Sequence, residues 1–443
     1  MKQMRKFFLG LLAGYFLLMA FLVYWQLITE LDEHPLNPGR YRIFREPRGA
    51  ILDRNGQALA ETIIDADGTR RVYASPGISH ITGYFHARYG MSGLEKAWHE
   101  RLAVGQNVQT TIDLNLQRRV EELLEGRVGA VVVLEPTTGQ VLALASYPYI
   151  DANALDDKWP EYLEDQRSPF VNRVVQGQYP PGSAIKPLVL VSALQNRTVD
   201  LDERWADQGV VELSGRTITN FQRQALGEIT TKEALALSSN TVFAQLAAQL
   251  GPALLQTLRR LGLGSTPDFS LPASGGNLPD GELSAYGWGQ IGIGQGSLLA
   301  TPLQMASAIA VIANGGRLMR PYLVEQIRGG WRLPKMQRPL VISEAVSQWS
   351  AAGVRDAMVM AVQSGTAKSA QVPGVLTAGK TGTAQTANGR DHSWFVGFAP
   401  AEEPAAVVVV LLEHAGTASQ TAAPLGGLVL REALVAQGVL GGM

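Results

Sequence analysis

The sequence predicts an α+β fold built on one five-stranded, largely antiparallel sheet. Residues 129–146 contain two Val- and Leu-rich runs around a Pro-containing turn, a pattern typical of a β-hairpin. Three more strand-like runs, separated by turn-rich segments, return late in the chain at residues 376–384, 393–399 and 405–412. Residues 150–370 have mostly helical and loop patterns. Strands at both ends of a long helical insertion favour an α+β domain over a doubly wound sheet.

Two helices are expected to flank this sheet. Asp113 can cap a helix that runs to Glu125, since apolar residues share one face of this segment and Gly126 can end it. A terminal helix from about Leu425 to Gln437 would close the domain.

Composition excludes several classes of protein. The 443 residues include 38 Lys and Arg and 39 Asp and Glu, a net charge of -1, which argues against nucleic acid as the main partner. Apolar residues make up 46% and charged residues 17%, so the chain is not wholly disordered. The absence of cysteine excludes disulfides, iron–sulfur clusters and a thiolate nucleophile.

An apolar run at residues 7–28 contains no charged side chain and predicts a transmembrane anchor. Basic residues precede this run and acidic residues follow it, namely Lys2, Arg5 and Lys6, then Glu30, Asp32 and Glu33. This charge pattern predicts a cytoplasmic N-terminus and an extracytoplasmic remainder. The alternative is a cleaved signal peptide, which is disfavoured because the run is long and no small-x-small site follows it.

The order of these features predicts four parts. They are a cytoplasmic N-terminus at 1–6, the anchor at 7–28, a small extracytoplasmic spacer domain at 29–108 and a catalytic domain at 109–443. The spacer opens with a Pro-rich linker. Residues 48–63 then predict two short strands around the turn Asp53-Arg54-Asn55-Gly56.

Ser183 and Lys186 form a Ser-x-x-Lys motif after Tyr179-Pro-Pro-Gly182. If a helix starts near Ser183, the lysine lies one turn later on the same face and can act as the base that activates the hydroxyl. Lysine can do so only if its pKa falls toward about 7–8, through burial or a nearby cation. The alternative is a chance match, since about one or two are expected in a chain of this length.

Ser238 and Asn240 form a Ser-x-Asn motif after a helical run. A second hydroxyl can relay protons, and an asparagine amide can hold the lysine and donate to a substrate carbonyl. Taken alone, the motif is better explained as a helix cap.

Lys380, Thr381, Gly382 and Thr383 lie in a predicted strand. The lysine and the two hydroxyls can receive a carboxylate, and the glycine lets another backbone approach closely. A strand edge here can also pair with an extended peptide. Lys380 near Lys186 would lower the pKa of the latter. The alternative is a solvated lysine on an edge strand.

Other patterns are assigned no chemistry. Gly292-x-Gly294-x-Gly296 lacks the spacing of a dinucleotide fingerprint and is interpreted as a loop near the active-site sheet. Ser364 and Lys368 have the wrong spacing for a second Ser–Lys pair. The six histidines show no metal-binding spacing, so neither a metal nor a cofactor is predicted.

Together, the three motifs are the set found in penicillin-binding proteins and serine β-lactamases. Their flanks, YPPGSAIKP, LSSNTVFAQLA and AGKTGTAQ followed by HSWFVGFAP, closely resemble class B penicillin-binding proteins. RGAILDRNG at 48–56 resembles the start of their spacer domain, although the region between anchor and catalytic domain is shorter than in many members. The resemblance implies the penicillin-binding transpeptidase fold, with helices flanking the five-stranded sheet and a helical subdomain.

The resemblance also implies roles for these residues. Ser183 would be the acylated nucleophile, Lys186 its base, Ser238 a proton relay and Asn240 a substrate-orienting residue. Lys380, Thr381 and Thr383 would hold the terminal carboxylate of a peptidoglycan stem peptide ending in D-Ala-D-Ala, and the N–H groups of Ser183 and Thr383 would form the oxyanion hole.

The implied activity is a membrane-anchored D,D-transpeptidase that is acylated by β-lactams and acts on the lipid-linked precursor or its stem peptide. The spacer leaves no room for a glycan-polymerising domain, so a separate polymerase of the SEDS family (RodA/FtsW-type) is the expected partner. The core motifs do not separate this activity from a D,D-carboxypeptidase or serine β-lactamase, in which water resolves the acyl-enzyme. A non-catalytic β-lactam sensor or cell-wall scaffold is the alternative from another class.

Overall fold

The computed structural model describes residues 2–25, 46–66, 68–329, 335–386 and 389–441. Residues 26–28 of the predicted anchor and the linker residues up to 45 lie outside the described residues, as do the acidic residues that follow the apolar run.

The N-terminal helix Lys2–Val23 has 22 residues, none of which is buried. At about 1.5 Å per residue it is long enough to cross the hydrocarbon core of a bilayer. It is also apolar enough to do so. These features suit a membrane anchor, and a signal sequence near the N-terminus shares them.

The central sheet confirms the predicted five antiparallel strands. Their spatial order is Ala378–Ala384, His392–Ala399, Ala406–Leu412, Gly129–Leu134 and Val141–Tyr147. Alternate residues of the third strand enter two different apolar clusters, Val409 on one face and Val410 on the other. Because both faces are covered, the four strands other than Ala378–Ala384 are mostly apolar.

Helices cover both faces of this sheet. Leu114–Leu124 and Ala422–Ala436 pack on one face, whereas Lys186–Gln195 and Pro302–Ala313 belong to the cluster on the other. The Asp113 carboxylate caps the first of these helices, as predicted. The other described α-helices after the N-terminal one are Ser79–Thr82, Gly93–Ala97, His99–Ala103, Leu155–Glu164, Thr231–Ala236, Asn240–Leu250, Pro252–Arg260, Ala285–Gly292 and Gln348–Gln363.

A second, six-stranded sheet lies in the spacer region. Its spatial order is Lys335–Met336, Val324–Arg328, Asn107–Thr110, Ile51–Leu52, Ala58–Asp65 and Gly68–Tyr73. The predicted hairpin is present, and the Asp53 carboxylate in its turn accepts hydrogen bonds from the backbone of Asn55, Gln57 and Leu114. Val324–Arg328 comes from the sequence assigned to the catalytic domain, so the sheet joins the two predicted domains.

Short antiparallel strand pairs interrupt the helical region, where sequence patterns indicated mostly helices and loops. Arg204–Asp207 pairs with Gly227–Thr230, and Val210–Leu213 pairs with Arg216–Thr219. These four-residue strands are largely exposed, so they lack the strong apolar alternation by which a strand is recognised. The remaining strand pairs are Arg317–Met319 with Val341–Glu344 and Phe85–His86 with Gly90–Met91.

Candidate active site

Ser183 lies in a 3-10 turn, Gly182–Ile185, that leads directly into the helix Lys186–Gln195. The α-helix therefore begins three residues later than the sequence predicted, and Pro187 occupies its first turn, where a missing N–H costs little. The backbone N–H of Lys186 donates to the carbonyl of Ser183. The turn leaves Ser183 partly exposed while Lys186 is fully buried.

Three glycines let other segments pass close to this turn. A Cβ on Gly382 would lie 2.6 Å from the Ala184 nitrogen and 2.8 Å from the Pro181 carbonyl oxygen, so only glycine fits where the strand crosses the turn. Gly182 has φ +53°, and its N–H donates to the Gly294 carbonyl at 3.0 Å. The Gly294 loop is therefore next to the strand and the turn, as its interpretation from sequence expected.

Lys186 reaches the Ser-x-Asn motif. Its Nζ donates to the Ser238 carbonyl at 2.7 Å and to Asn240 Oδ1 at 2.8 Å, and it lies 3.3 Å from Ser238 Oγ. The carbonyl and amide oxygens can only accept, so they orient two N–H bonds of the amine. In the neutral amine the remaining tetrahedral position is a lone pair, which is what a base requires.

Lys380 contacts the same serine hydroxyl from the strand. Its Nζ donates to Ser238 Oγ at 2.8 Å and to the Thr381 carbonyl at 2.8 Å. Ser238 has φ +64°, a conformation that is uncommon for a residue with a side chain. The Ser238 hydroxyl therefore lies between two buried amines.

The environment makes both lysines easier to deprotonate. Burial, followed by the like charge of Lys380, lowers the pKa of Lys186 well below its ordinary value, while the charge of Asp207 opposes this shift. Burial also lowers the pKa of Lys380 to about 7. A carboxylate bound beside Lys380 would raise its pKa again, because an opposite charge favours the ammonium form.

The Ser183 hydroxyl is not joined to this network of lysines and Ser238. Within the described part of the chain it makes no hydrogen bond with Lys186, Ser238 or Lys380, although the sequence suggested direct contact between serine and lysine. Catalytic hydrogen bonds are often long in the absence of substrate and shorten in the complex.

The two threonines of the strand differ in their contacts. The Thr381 hydroxyl donates to Thr366 Oγ1 at 2.9 Å, whereas Thr383 Oγ1 accepts a 3.4 Å hydrogen bond from the Ala418 backbone and is partly exposed. Thr366 lies within the Ser364–Lys368 segment that was assigned no role. No local pattern marks it, since only the fold brings it to the strand.

Asn240 is held by residues that the sequence did not single out. Its Nδ2 donates to the Thr219 carbonyl at 2.8 Å, and its backbone N–H donates to Asn220 Oδ1 at 2.7 Å. One amide hydrogen of Asn240 therefore stays available for another acceptor. Behind these residues lies the buried carboxylate of Asp207.

Comparison with known proteins places this geometry in a family. A family model described as the penicillin binding protein transpeptidase domain matches residues 129–431, and one described as the penicillin binding protein A dimerisation domain matches residues 48–127. The peptidoglycan D,D-transpeptidase PbpA of Mycolicibacterium smegmatis is 33% identical over 448 residues, which cover 88% of this chain and 90% of the relative.

Solved structures agree with these matches. A D,D-transpeptidase domain of a peptidoglycan glycosyltransferase from Eggerthella lenta superposes with a TM-score of 0.83 at 33% identity, covering 89% of this chain and 100% of that one. The imipenem acyl-enzyme complex of penicillin-binding protein A from M. tuberculosis has a TM-score of 0.82 at 32% identity with the same coverage. The chain therefore belongs to the penicillin-binding protein transpeptidase family.

Proposed function

We propose that this chain is a membrane-anchored peptidoglycan D,D-transpeptidase that forms an acyl-enzyme at Ser183. The observation that carries the proposal is the pair of buried amines, Lys186 and Lys380, which both contact the Ser238 hydroxyl, with Lys186 following directly on the Ser183 turn. The relatives support it, because PbpA is named a peptidoglycan D,D-transpeptidase and penicillin-binding protein A was solved as an acyl-enzyme with imipenem.

The first half of the reaction acylates the enzyme. Neutral Lys186 takes the proton of Ser183 as its Oγ attacks the carbonyl carbon of the penultimate D-Ala. The N–H groups of Ser183 and Thr383 stabilise the oxyanion. The bond to the terminal D-Ala then breaks, and its nitrogen receives a proton through the Ser238 hydroxyl, which lies within reach of Lys186.

The second half transfers the acyl group to an amine of a neighbouring peptidoglycan strand. The amine attacks the ester carbon and gives up one proton to neutral Lys186 through the Ser238 hydroxyl. The ester C–O bond then breaks, an amide bond is left, and Ser183 Oγ leaves and takes that proton from Lys186. This chemistry requires no cofactor or metal, because the lysines supply both the base and the positive charge.

Substrate binding uses the strand and the Ser-x-Asn motif. Lys380, Thr381 and Thr383 receive the terminal carboxylate of the donor, and Gly382 keeps the strand against the Ser183 turn. Asn240 uses its remaining amide hydrogen to orient a carbonyl of the donor peptide. Penicillins mimic this peptide, so the same residues bind them.

The proposal is tested by mass spectrometry of the intact protein after penicillin treatment. We expect the mass to rise by one whole penicillin, because the ring opens without losing atoms, and the adduct to map to the peptide that contains Ser183. With the lipid-linked precursor and a polymerase, cross-linked product is expected. An adduct elsewhere refutes the assignment of the nucleophile, whereas rapid loss of the adduct or hydrolysis without cross-linking favours a β-lactamase or carboxypeptidase.

The same proposal orients the chain in the bacterial cell membrane. Residues 1–6 are cytoplasmic, 7–28 cross the membrane, and the spacer at 29–108 and the catalytic domain at 109–443 lie outside. Because the chain has no cysteine, Gln3→Cys and Glu403→Cys each introduce a single reporter. A membrane-impermeant maleimide is expected to label only the cysteine at position 403 in spheroplasts, and labelling at position 3 would contradict this orientation.

A SEDS-family membrane polymerase is the proposed partner, through the anchor and the spacer domain. Cross-linking needs newly made glycan, and this chain's two matched regions are a transpeptidase and a dimerisation domain. The two proteins are expected to co-purify in mild detergent. Failure to co-isolate with any such polymerase from its own cells would count against the partnership.

A further inference from the structure

Asp207 is a buried carboxylate without a basic partner among the described residues. It lies at the end of the strand Arg204–Asp207 with 3% of its surface exposed. Its oxygens accept hydrogen bonds from Ser239 Oγ at 2.6 Å, from Asn220 Nδ2 at 2.8 and 2.9 Å, and from the Gly209 N–H at 2.8 Å. Burial alone would raise the pKa of Asp207, but hydrogen bonds, above all those from Ser239, Asn220 and the Gly209 N–H, together lower it below its ordinary value. Burying a carboxylate without a basic partner costs free energy, and such groups are concentrated at functional sites.

Asp207 helps to fix the orientation of Asn220, together with the Gln224 carbonyl, which accepts from the same Nδ2 at 3.0 Å. Because the Asn220 amide nitrogen donates to Asp207, its oxygen must face the other way, toward the helix Asn240–Leu250. There Oδ1 accepts the backbone N–H groups of Asn240 at 2.7 Å and of Thr241 at 3.2 Å. These are first-turn donors that have no partner within the helix.

Asp207 also orients Ser239, the middle residue of the Ser-x-Asn motif. Ser239 donates its hydroxyl proton to Asp207, and the same oxygen accepts from the Val242 N–H at 3.1 Å. Asn220 and Ser239, which both cap the N-terminus of this helix, therefore both hydrogen-bond to the Asp207 carboxylate. The turn that leads into the helix contains Ser238 in its uncommon positive-φ conformation, which persists only where its surroundings impose it.

The same turn supplies every described hydrogen-bond partner of the Lys186 amine, namely the Ser238 carbonyl, Ser238 Oγ and Asn240 Oδ1. Asp207 and Lys380 are the charged groups that act on this amine in the described structure, with opposite signs. Asp207 can therefore act on the Lys186 amine in two ways, through the position of the Ser238–Asn240 turn and through its negative charge.

We propose that Asp207 is a positioning residue of the acylation reaction, which holds the Ser238–Asn240 turn against Lys186 through Ser239 and Asn220 and counters the charge of Lys380 at that amine. This inference rests on the proposed function, since it concerns the base of that reaction. It adds a group that lies outside the three motifs and touches neither substrate nor nucleophile.

The test is the second-order rate constant for acylation of the full-length protein by fluorescent penicillin, measured across pH for wild type and Asp207→Asn. The asparagine keeps the size and one acceptor oxygen, and Ser239 can redirect its proton to Thr241 Oγ1, 3.1 Å away. We expect the plateau rate to fall about tenfold or more, because small displacements of catalytic groups are costly. In the plot of acylation rate against pH, we also expect the rising limb to move to lower pH by roughly half a unit or more. The reason is that a negative charge that favours protonated Lys186 has been removed.

Three variants separate charge from geometry. Asp202→Asn removes an exposed carboxylate from the same segment and should leave the plateau and the limb unchanged. Asp207→Glu keeps the charge but moves the oxygens, so the plateau should fall while the limb stays close to that of wild type. Ser239→Ala keeps the charge and loses one support, so the plateau should fall several-fold without an acid shift.

The outcomes distinguish this inference from the proposed function. If wild type is not acylated at Ser183, the proposed function fails. If wild type is acylated and folded Asp207→Asn matches its rate and pH profile, only the inference is overturned. If Asp207→Asn does not fold, Ser239→Ala decides, because acylation at the wild-type rate in that variant overturns the positioning role.

Discussion

Ser183→Ala is expected to abolish covalent labelling by fluorescent penicillin. The alanine removes the oxygen that forms the ester, whereas the Ser238 hydroxyl is held by hydrogen bonds from both buried amines. Labelling should fall at least about a thousandfold, the loss typical when a nucleophile is deleted. The measurement is gel fluorescence after denaturation, which retains only covalent adducts.

Ser192→Ala is the matched control for this change. Ser192 lies in the helix Lys186–Gln195 that follows the Ser183 turn, and its buried hydroxyl has no hydrogen-bond partner among the described residues. Its removal should leave labelling at the wild-type level. If Ser183→Ala still labels while it melts at the wild-type temperature, Ser183 is not the nucleophile.

Lys186→Met is expected to slow acylation by about a hundredfold to ten-thousandfold, the usual contribution of a general base. Methionine fills a similar volume in the fully buried site but offers no lone pair to accept the Ser183 proton. The Ser238 carbonyl and Asn240 Oδ1 lose their shared donor, so a fall in the free energy of unfolding of about 1–3 kcal/mol is also expected. Stopped-flow acylation and thermal unfolding measure the two effects separately.

The acylation rate is expected to depend on pH through the protonation of Lys186. Burial and the like charge of Lys380 lower the pKa of Lys186 well below the ordinary lysine value of 10.5. The unprotonated amine is the active form, so the acylation rate of wild type should rise with pH and level off well below that value. Lys186→Met should lose this rising limb.

Lys368→Met provides the control, since Lys368 is an exposed lysine in the Ser364–Lys368 segment whose spacing resembles the motif only superficially. It should acylate at the wild-type rate with the same pH profile. A Lys186→Met protein that acylates as fast as this control would show that another group is the base.

Local sequence was sufficient to predict the sheet. The strands at residues 129–146, 393–399 and 405–412 are mostly apolar, because both faces of the sheet are covered, and such runs are visible without any knowledge of the fold. The helix capped by Asp113 was predicted for a similar reason, since the capping residue and the apolar residues of the helix lie close together in sequence. The short strand pairs at and next to Asp207 were missed, because their strands have only four residues and stay largely exposed.

The three motifs were likewise recognisable from residue type and spacing, together with the order in which they follow one another. Spacing, however, also suggested that Lys186 lies beside the Ser183 hydroxyl. In the structure the amine donates hydrogen bonds to Ser238 and Asn240, which are more than fifty residues away in sequence. That orientation depends on the turn between those two residues, which no pattern around Ser183 describes.

By itself, the sequence determined the apolar N-terminal segment, the strands of the central sheet and the identity of the motif residues, because each depends on neighbours within a few positions. Only the tertiary structure placed Asp207, Asn220 and Thr366 within hydrogen-bond distance of the motif residues Ser239, Asn240 and Thr381. Hydrogen bonds between residues distant in the chain form only where packing brings their atoms within about 3 Å, and composition and periodicity carry no record of that distance.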